Sequence, residues 1–155
     1  MVNYSDPLLG TLEKCFQIKL KELAEQNKKL VLEQLVTTVA SIANTLEQDF
    51  AKYYELFMPC MKYIMQNANC KELRLLRGKT IECASLIGLA VGADKFTADA
   101  SDIMDLLLRT QVDNGGVELD EDDPQLSYMI TAWARICQIL GMTHKTRNIY
   151  LLCYV

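Results

Sequence analysis

Arg77-Gly78-Lys79-Thr80 ends in Gly-Lys-Thr, the residues that close a phosphate-binding loop. Such a loop wraps phosphates in backbone N–H groups. It needs a second glycine five residues before Gly78 and a buried strand ahead of it. Leu73 occupies the glycine position, and Lys71-Glu72-Leu73-Arg74-Leu75-Leu76-Arg77 has helix-forming composition. Inside a helix the N–H groups are already bonded to carbonyls, so no cradle forms. A nucleotide-hydrolysing reading fails on both counts.

The other chemistry-bearing residues are equally poor in arrangements. His144 is the one histidine, and no nucleophile and base are spaced to work with it. The six cysteines are Cys15, Cys60, Cys70, Cys83, Cys137 and Cys153, and none forms a Cys-x-x-Cys pair. No zinc site is expected from them. Most sit in apolar helical patterns, where Cys behaves as a small hydrophobe. Residues 1–7 lack a basic region followed by an apolar core, so no signal peptide is expected and the cysteines suit a reducing compartment. These residues imply no enzyme, no metal and no cofactor.

The charge pattern is more informative. Between Asp113 and Asp123 lie Asp113, Glu118, Asp120, Glu121, Asp122 and Asp123, with no Lys or Arg. These are six of the 20 acidic residues, so the remaining 14 face all 16 bases. The net charge of −4 therefore resides in one segment. Such a loop attracts Lys/Arg-rich segments in a salt-sensitive way, or it serves as a solubilising insertion. The Asp-x-Asp-x-Asp-Gly order of a calcium loop is absent.

Helices must position all of this. Asp6 and Pro7 read as a helix cap and first helical residue. Apolar residues then recur every three or four positions at Leu9, Leu12, Phe16, Leu20 and Leu23. A second helix carries Leu32, Leu35, Val36, Val39, Ala43 and Leu46. A third carries Phe50, Tyr54, Phe57, Met61 and Ile64, with a bend expected near 54–58 because of Pro59. The fourth carries Leu73, Leu76, Thr80, Ala84, Ile87 and Val91, and Gly92 ends it. Phe96, Ala100, Ile103 and Leu107 mark a fifth. Asp123-Pro124 opens a sixth, striped by Leu126, Ile130, Trp133, Cys137 and Leu140. Only the final 149–155 run has a strand-like character, so the fold class is all-α.

The helices repeat. Ala40–Leu46 aligns with Ala84–Ala90 and with Ala134–Leu140, at offsets of 44 and 50, the longer one holding the acidic loop. Phe50 and Met58 recur as Phe96 and Met104 at an offset of 46. A period in the mid-forties built from two helices is the HEAT or armadillo class of α-solenoid. The expected organisation is three stacked helix pairs, at about 6–47, 48–92 and 94–141 with the acidic loop at 113–123, forming a right-handed superhelix segment. Residues 142–155 form a divergent tail.

In that architecture second helices line the inner surface. This places Arg74, Arg77, Lys79 and Glu82 as candidate inner-surface charges. The alternative is a solvated face ion-paired with Glu72 and Glu82. Trp133 is a candidate stacking platform, but its place in the apolar stripe favours core packing. Tyr53, Tyr54, Phe57 and Met58 could line an outer apolar groove, although packing between first helices is the preferred reading.

The stretch YYELFMPCMKYIMQNANCKELRLLRGKTIECASLIGLAVG, followed by DASDIMDLLL, an acidic loop and DDPQLSYMITAWARICQILG, resembles the karyopherin-beta nuclear transport receptors of the importin beta-3 type. The resemblance covers about Leu30 to Gly141, and Leu8 to Asn27 more weakly. It implies a non-catalytic HEAT superhelix segment that binds basic import cargo, such as ribosomal proteins and histones. It also implies outer-surface contacts with phenylalanine-glycine nucleoporins, release of cargo by Ran-GTP, and shuttling between cytoplasm and nucleus. Membranes and nucleic acids are not expected as direct partners. Glu118, Asp120, Glu121, Asp122, Asp123 and Trp133 then become the candidate cargo-binding residues. A HEAT scaffold, or a fragment that does not transport, is the competing reading. After Gly141 the family would continue into another first helix, whereas this chain reads Met142-Thr143-His144-Lys145-Thr146-Arg147-Asn148 and then seven apolar residues. That run is an expected aggregation liability.

Overall fold

The computed structural model describes residues 4–26, 28–112 and 123–141. Glu118, Asp120, Glu121 and Asp122 of the acidic loop lie outside the described residues, as do His144 and the apolar run 149–155. The described residues form six α-helices: α1 (Ser5–Gln26), α2 (Leu30–Leu46), α3 (Tyr54–Asn67), α4 (Arg74–Val91), α5 (Ala93–Val112) and α6 (Pro124–Ile139). Short 3₁₀ segments, Glu47–Tyr53 and Lys71–Leu73, lead into α3 and α4. No strand is found among the described residues.

Helices pair α1 with α2, α3 with α4 and α5 with α6. The pairs stack in two layers, with α1, α3 and α5 in one and α2, α4 and α6 in the other. Each apolar stripe faces the gap between layers, because one helix pair alone cannot cover it. Leu9, Phe16 and Leu23 of α1, Val36 and Val39 of α2, Phe57 and Ile64 of α3, and Phe96 and Ile103 of α5 are all in one buried core. The ring of Phe16 meets Phe57 edge-on, with centroids 5.9 Å apart. The stripes of the first five helices are thus buried much as their three-and-four spacing requires. Tyr53, Tyr54, Phe57 and Met58 are likewise buried.

Three local expectations need correction. Asp6 does not cap α1. The helix begins at Ser5, so Asp6 and Pro7 lie in its first turn, where N–H groups lack helical acceptors and proline is tolerated. The Asp6 carboxylate instead serves Lys52 and Tyr53 of the next pair. The third helix is not one element from Phe50: a 3₁₀ segment ends at Tyr53, and α3 runs unbroken through Pro59. Only one backbone bond is lost there, close to the helix start. The buried stripe of α6 is also rotated from the expected one. Gln125, Met129, Ala132, Trp133, Ile136 and Cys137 are buried, while Ile130 is 52% exposed. Polar Gln125 turns inward because α4 offers it a partner.

Helix ends follow simple chemistry. Gly92 takes φ +83° and donates its N–H to the Gly88 carbonyl at 3.0 Å, closing α4. Asp123 caps α6, accepting from the Gln125 N–H at 2.9 Å, with Pro124 as the first helical residue.

Candidate functional site on the second helices

Residues from three helices build the second-helix layer, and α4 is its centre. Two glycines let α4 come close to its neighbours. A Cβ at Gly78 would stand 2.8 Å from the Tyr128 ring and 3.3 Å from the Gln125 backbone. A Cβ at Gly88 would stand 2.7 to 2.8 Å from three ring atoms of buried Phe96. The glycine of the Gly-Lys-Thr sequence therefore serves helix contact. Thr80 is buried and donates to the Leu76 carbonyl at 2.7 Å, as expected of a hydroxyl inside a helix.

The basic residues on α4 are tied to other repeats. Arg77 is only 3% exposed, and its Nε and Nη2 both donate to Gln125 Oε1, at 3.2 and 3.0 Å. Gln125 is fully buried, and its amide reaches the Met129 sulfur at 3.6 Å. Arg74 pairs at 3.2 Å with Asp123 Oδ2, so Asp123 caps α6 with one oxygen and binds α4 with the other. Lys79 lies 3.9 Å from Glu33 of α2. Glu82 lies 3.6 Å from Arg135 of α6, which also donates to Ser85 Oγ at 3.3 Å. The partners are thus Asp123 for Arg74, Gln125 for Arg77, Glu33 for Lys79 and Arg135 for Glu82.

Among the described residues Glu33 is the most confined acid, at 6% exposed. Lys29, the residue that precedes α2, stands 4.0 Å away, and Lys79 faces it from α4. Its Oε1 accepts no hydrogen bond. Trp133 is 8% exposed and belongs to the core cluster.

This arrangement has an electrostatic consequence. The carboxylates of Glu33, Glu82 and Asp123 are each matched by a cation of a neighbouring helix. These three carboxylates of the described part of the layer are therefore charge-compensated. Gln125 was the residue that sequence patterning missed. Its one signal was a position directly after the capping Asp123-Pro124, where a helix side chain can turn either way.

The first-helix layer is tied differently. The hydroxyl of Tyr53 donates to Asp6 Oδ1, which Lys52 also reaches at 2.7 Å. The hydroxyl of Tyr54 donates to Asp99 Oδ2 at 2.8 Å, and Lys62 bridges Asp99 and Asp102, at 2.7 Å each. Lys52 and Tyr53 hold the Asp6 carboxyl below its ordinary range. Burial pushes Asp99 upward, but Lys62 and Tyr54 outweigh it and leave Asp99 low. Between these ties run two grooves. One, of about 340 Å³, lies between α1 and α3 and is lined by Leu20, Ala24, Pro59, Cys60 and Tyr63 among others. The second, of about 330 Å³, lies between α3 and α5 beside Met58, Lys62 and Asp99. Among the described residues no three His, Cys, Asp or Glu side chains gather to hold a metal. No described helix is long and apolar enough to cross a membrane.

Comparison with known proteins gives this arrangement a context. No family model matches the chain. Importin subunit beta-3 of Saccharomyces cerevisiae is 40% identical over 119 residues, which is 77% of this chain and 10% of that protein. A probable importin-5 homolog of Dictyostelium discoideum is 29% identical over 138 residues, 89% of this chain and 12% of that protein. The chain therefore spans about a tenth of the length of the curated relatives it matches. Among solved structures, the karyopherin Kap121p bound to the SUMO protease Ulp1p superposes with a TM-score of 0.66 and 34% identity, covering 87% of this chain and 11% of that one. Kap121p also matches in structures bound to Pho4p, to Nup53p and to RanGTP, with TM-scores of 0.62, 0.61 and 0.64.

Proposed function

Because the chain belongs to the karyopherins of the importin beta-3 type, as a stretch of their HEAT-repeat solenoid, we propose that it is a non-catalytic binding segment for basic import cargo. The observation that carries this reading is the 40% identity to importin beta-3 over 119 residues. Structures of Kap121p with Ulp1p, Pho4p, Nup53p and RanGTP support cargo, nucleoporins and Ran as the partner classes. Ribosomal proteins and histones have the basic segments that such a surface would take. The corresponding localisation is shuttling between cytoplasm and nucleus.

The charge arrangement sharpens the mechanism. Glu33, Glu82 and Asp123 are engaged by cations of neighbouring helices. Electrostatic attraction of a basic segment then falls to Glu118, Asp120, Glu121 and Asp122, whose field raises the local concentration of Lys/Arg-rich peptide. Asp123 and Trp133 contribute by holding α6 in place.

The test is fluorescence binding of a labelled Lys/Arg-rich import peptide at low and physiological salt. The intact chain is compared with a variant in which Glu118, Asp120, Glu121 and Asp122 become Gln or Asn, and separately with Asp123→Asn. Salt-sensitive binding that is lost in the fourfold variant supports the reading. Equal binding by the intact and fourfold chains refutes the assignment of the loop. Absence of binding from a helical intact chain favours a scaffold role.

A further inference from the structure

At the repeat offset of 50, Leu76, Thr80 and Ala84 of α4 correspond to Leu126, Ile130 and Ala134 of α6. The three α4 residues are fully buried, because α4 lies between α2 and α6. Their counterparts are left open. Ala134 is exposed, Leu126 is half-buried, and Ile130 is 52% exposed. Where α4 carries Thr80, α6 carries the more apolar isoleucine. The spacing of four puts the three residues on one stripe, about 12 Å long at a helical rise of about 1.5 Å per residue. Helix α6 thus presents a face that its repeat position would bury and that no described helix covers.

The chain leaves α6 in a way that suits its own return. Gly141 takes φ +64° and donates its N–H to the Gln138 carbonyl at 3.2 Å. A residue in this left-handed conformation turns the backbone off the helix axis. The sequence that follows has two parts. Residues 142–148 are mostly polar and include Lys145 and Arg147, whereas Ile149-Tyr150-Leu151-Leu152-Cys153-Tyr154-Val155 holds no charge. Seven linker residues span at most about 25 Å. Leu126 lies about 22 Å from Gly141 along α6, so the apolar run can reach the whole stripe.

We propose that residues 149–155 fold back onto Leu126, Ile130 and Ala134 and cap the open end of the stack, as a terminal repeat does in a solenoid. The tether favours this occupant over a second copy. A short flexible linker holds the run at an effective concentration in the millimolar range. A second copy would have to bring an apolar edge of its own, such as Leu8 and Ile18 of α1, at the concentration of the protein. The lack of charge in the run suits the stripe, and both bases fall in the linker. Capping also withdraws the apolar run from aggregation and stops a further copy from extending the stack.

Cys153 makes this measurable. In the full chain carrying Ile130→Cys, mild oxidation at micromolar protein joins position 130 to Cys153 within one chain, and peptide mapping by mass spectrometry detects the link. Leu89→Cys is the control, since Leu89 is 43% exposed on α4. The link is expected to form at least about tenfold faster at 130 than at 89, at a rate independent of protein concentration. A link made only between chains assigns the face to a second copy and overturns the proposal. Equal rates at the two positions overturn it as well. An apolar dye gives a second reading that needs no new cysteine, and it decides by itself if a cysteine variant fails to fold. Leu151→Asp/Leu152→Asp should raise dye fluorescence at least about twofold, because the stripe on α6 is uncovered. A run that lies free binds the dye itself, so a signal that falls or stays level in this variant overturns the capping.

Discussion

Replacing Arg77 with Met separates a buried tie from a solvated charge. Met has a similar stem, so the apolar contacts of the arginine chain are kept and no large cavity opens. What is lost is the pair of bonds from Nε and Nη2 to Gln125 Oε1, at 3.2 and 3.0 Å. Gln125 is fully buried, so its oxygen cannot turn to water. An acceptor stranded this way costs about 1–3 kcal/mol. Arg77 has further contacts, so this figure belongs to the Gln125 bond alone. For a chain of this size the corresponding fall in Tm is about 2–4 °C for each kcal/mol. Urea unfolding followed by helix signal and by the fluorescence of Trp133, which lies in α6, reads the change. The double variant Arg77→Met/Gln125→Leu should recover most of the loss that belongs to this bond, because neither of its two partners is then left unsatisfied. Arg77→Met within about 0.5 kcal/mol of the unaltered chain would be ordinary surface behaviour and would refute the reasoning. A double variant worse than the sum of the singles would refute the pairing itself.

Gly88→Ala should destabilise despite the helix propensity gained. Alanine brings about 1 kcal/mol over glycine, but its methyl would meet three atoms of the buried Phe96 ring at under 3 Å, and overpacking of this kind costs about 1–3 kcal/mol. A thermal melt that rises for this variant would show that the ring gives way. Acid should weaken the first-helix joints. Asp99 is held below its ordinary 3.8, so it contributes stability above that value and loses it as pH falls through the lower folded value. The stability difference between the unaltered chain and Asp99→Asn, from urea melts, should be constant above about pH 5 and shrink below about pH 4. A difference that persists undiminished at the acid end would contradict the tie to Lys62 and Tyr54.

The architecture was legible because a repeating solenoid writes its burial in the simplest code available. Leu9, Phe16 and Leu23, or Phe96, Ala100, Ile103 and Leu107, return to one face whatever the neighbours do, and the offsets of 44, 46 and 50 expose the stacking. The details that failed are those in which a neighbour decides. Asp6 followed by Pro7 has the chemistry of a helix cap, and the residue that displaces that role is Lys52, 46 positions away. Gln125 and Ile130 carry no periodic signal that would bury the amide and expose the alkyl chain. The reversal comes from Arg77, 48 positions earlier, whose guanidinium needs an acceptor once α4 is buried on both sides.

The Gly-Lys-Thr sequence shows the same limit from the opposite side. A glycine between charged residues on a helix reads alike whether it cradles phosphate, faces water or admits a neighbouring helix. Leu73 and the helical composition around it remove the first possibility from sequence alone. Only the position of Tyr128, 2.8 Å from where a Cβ would stand, separates the other two. Once that ring is in place, Arg74, Arg77 and Lys79 cannot remain a free basic patch, because the approach that Gly78 permits brings Asp123 and Gln125 against α4 while Glu33 approaches from α2. Compensation of the layer therefore follows from the glycine.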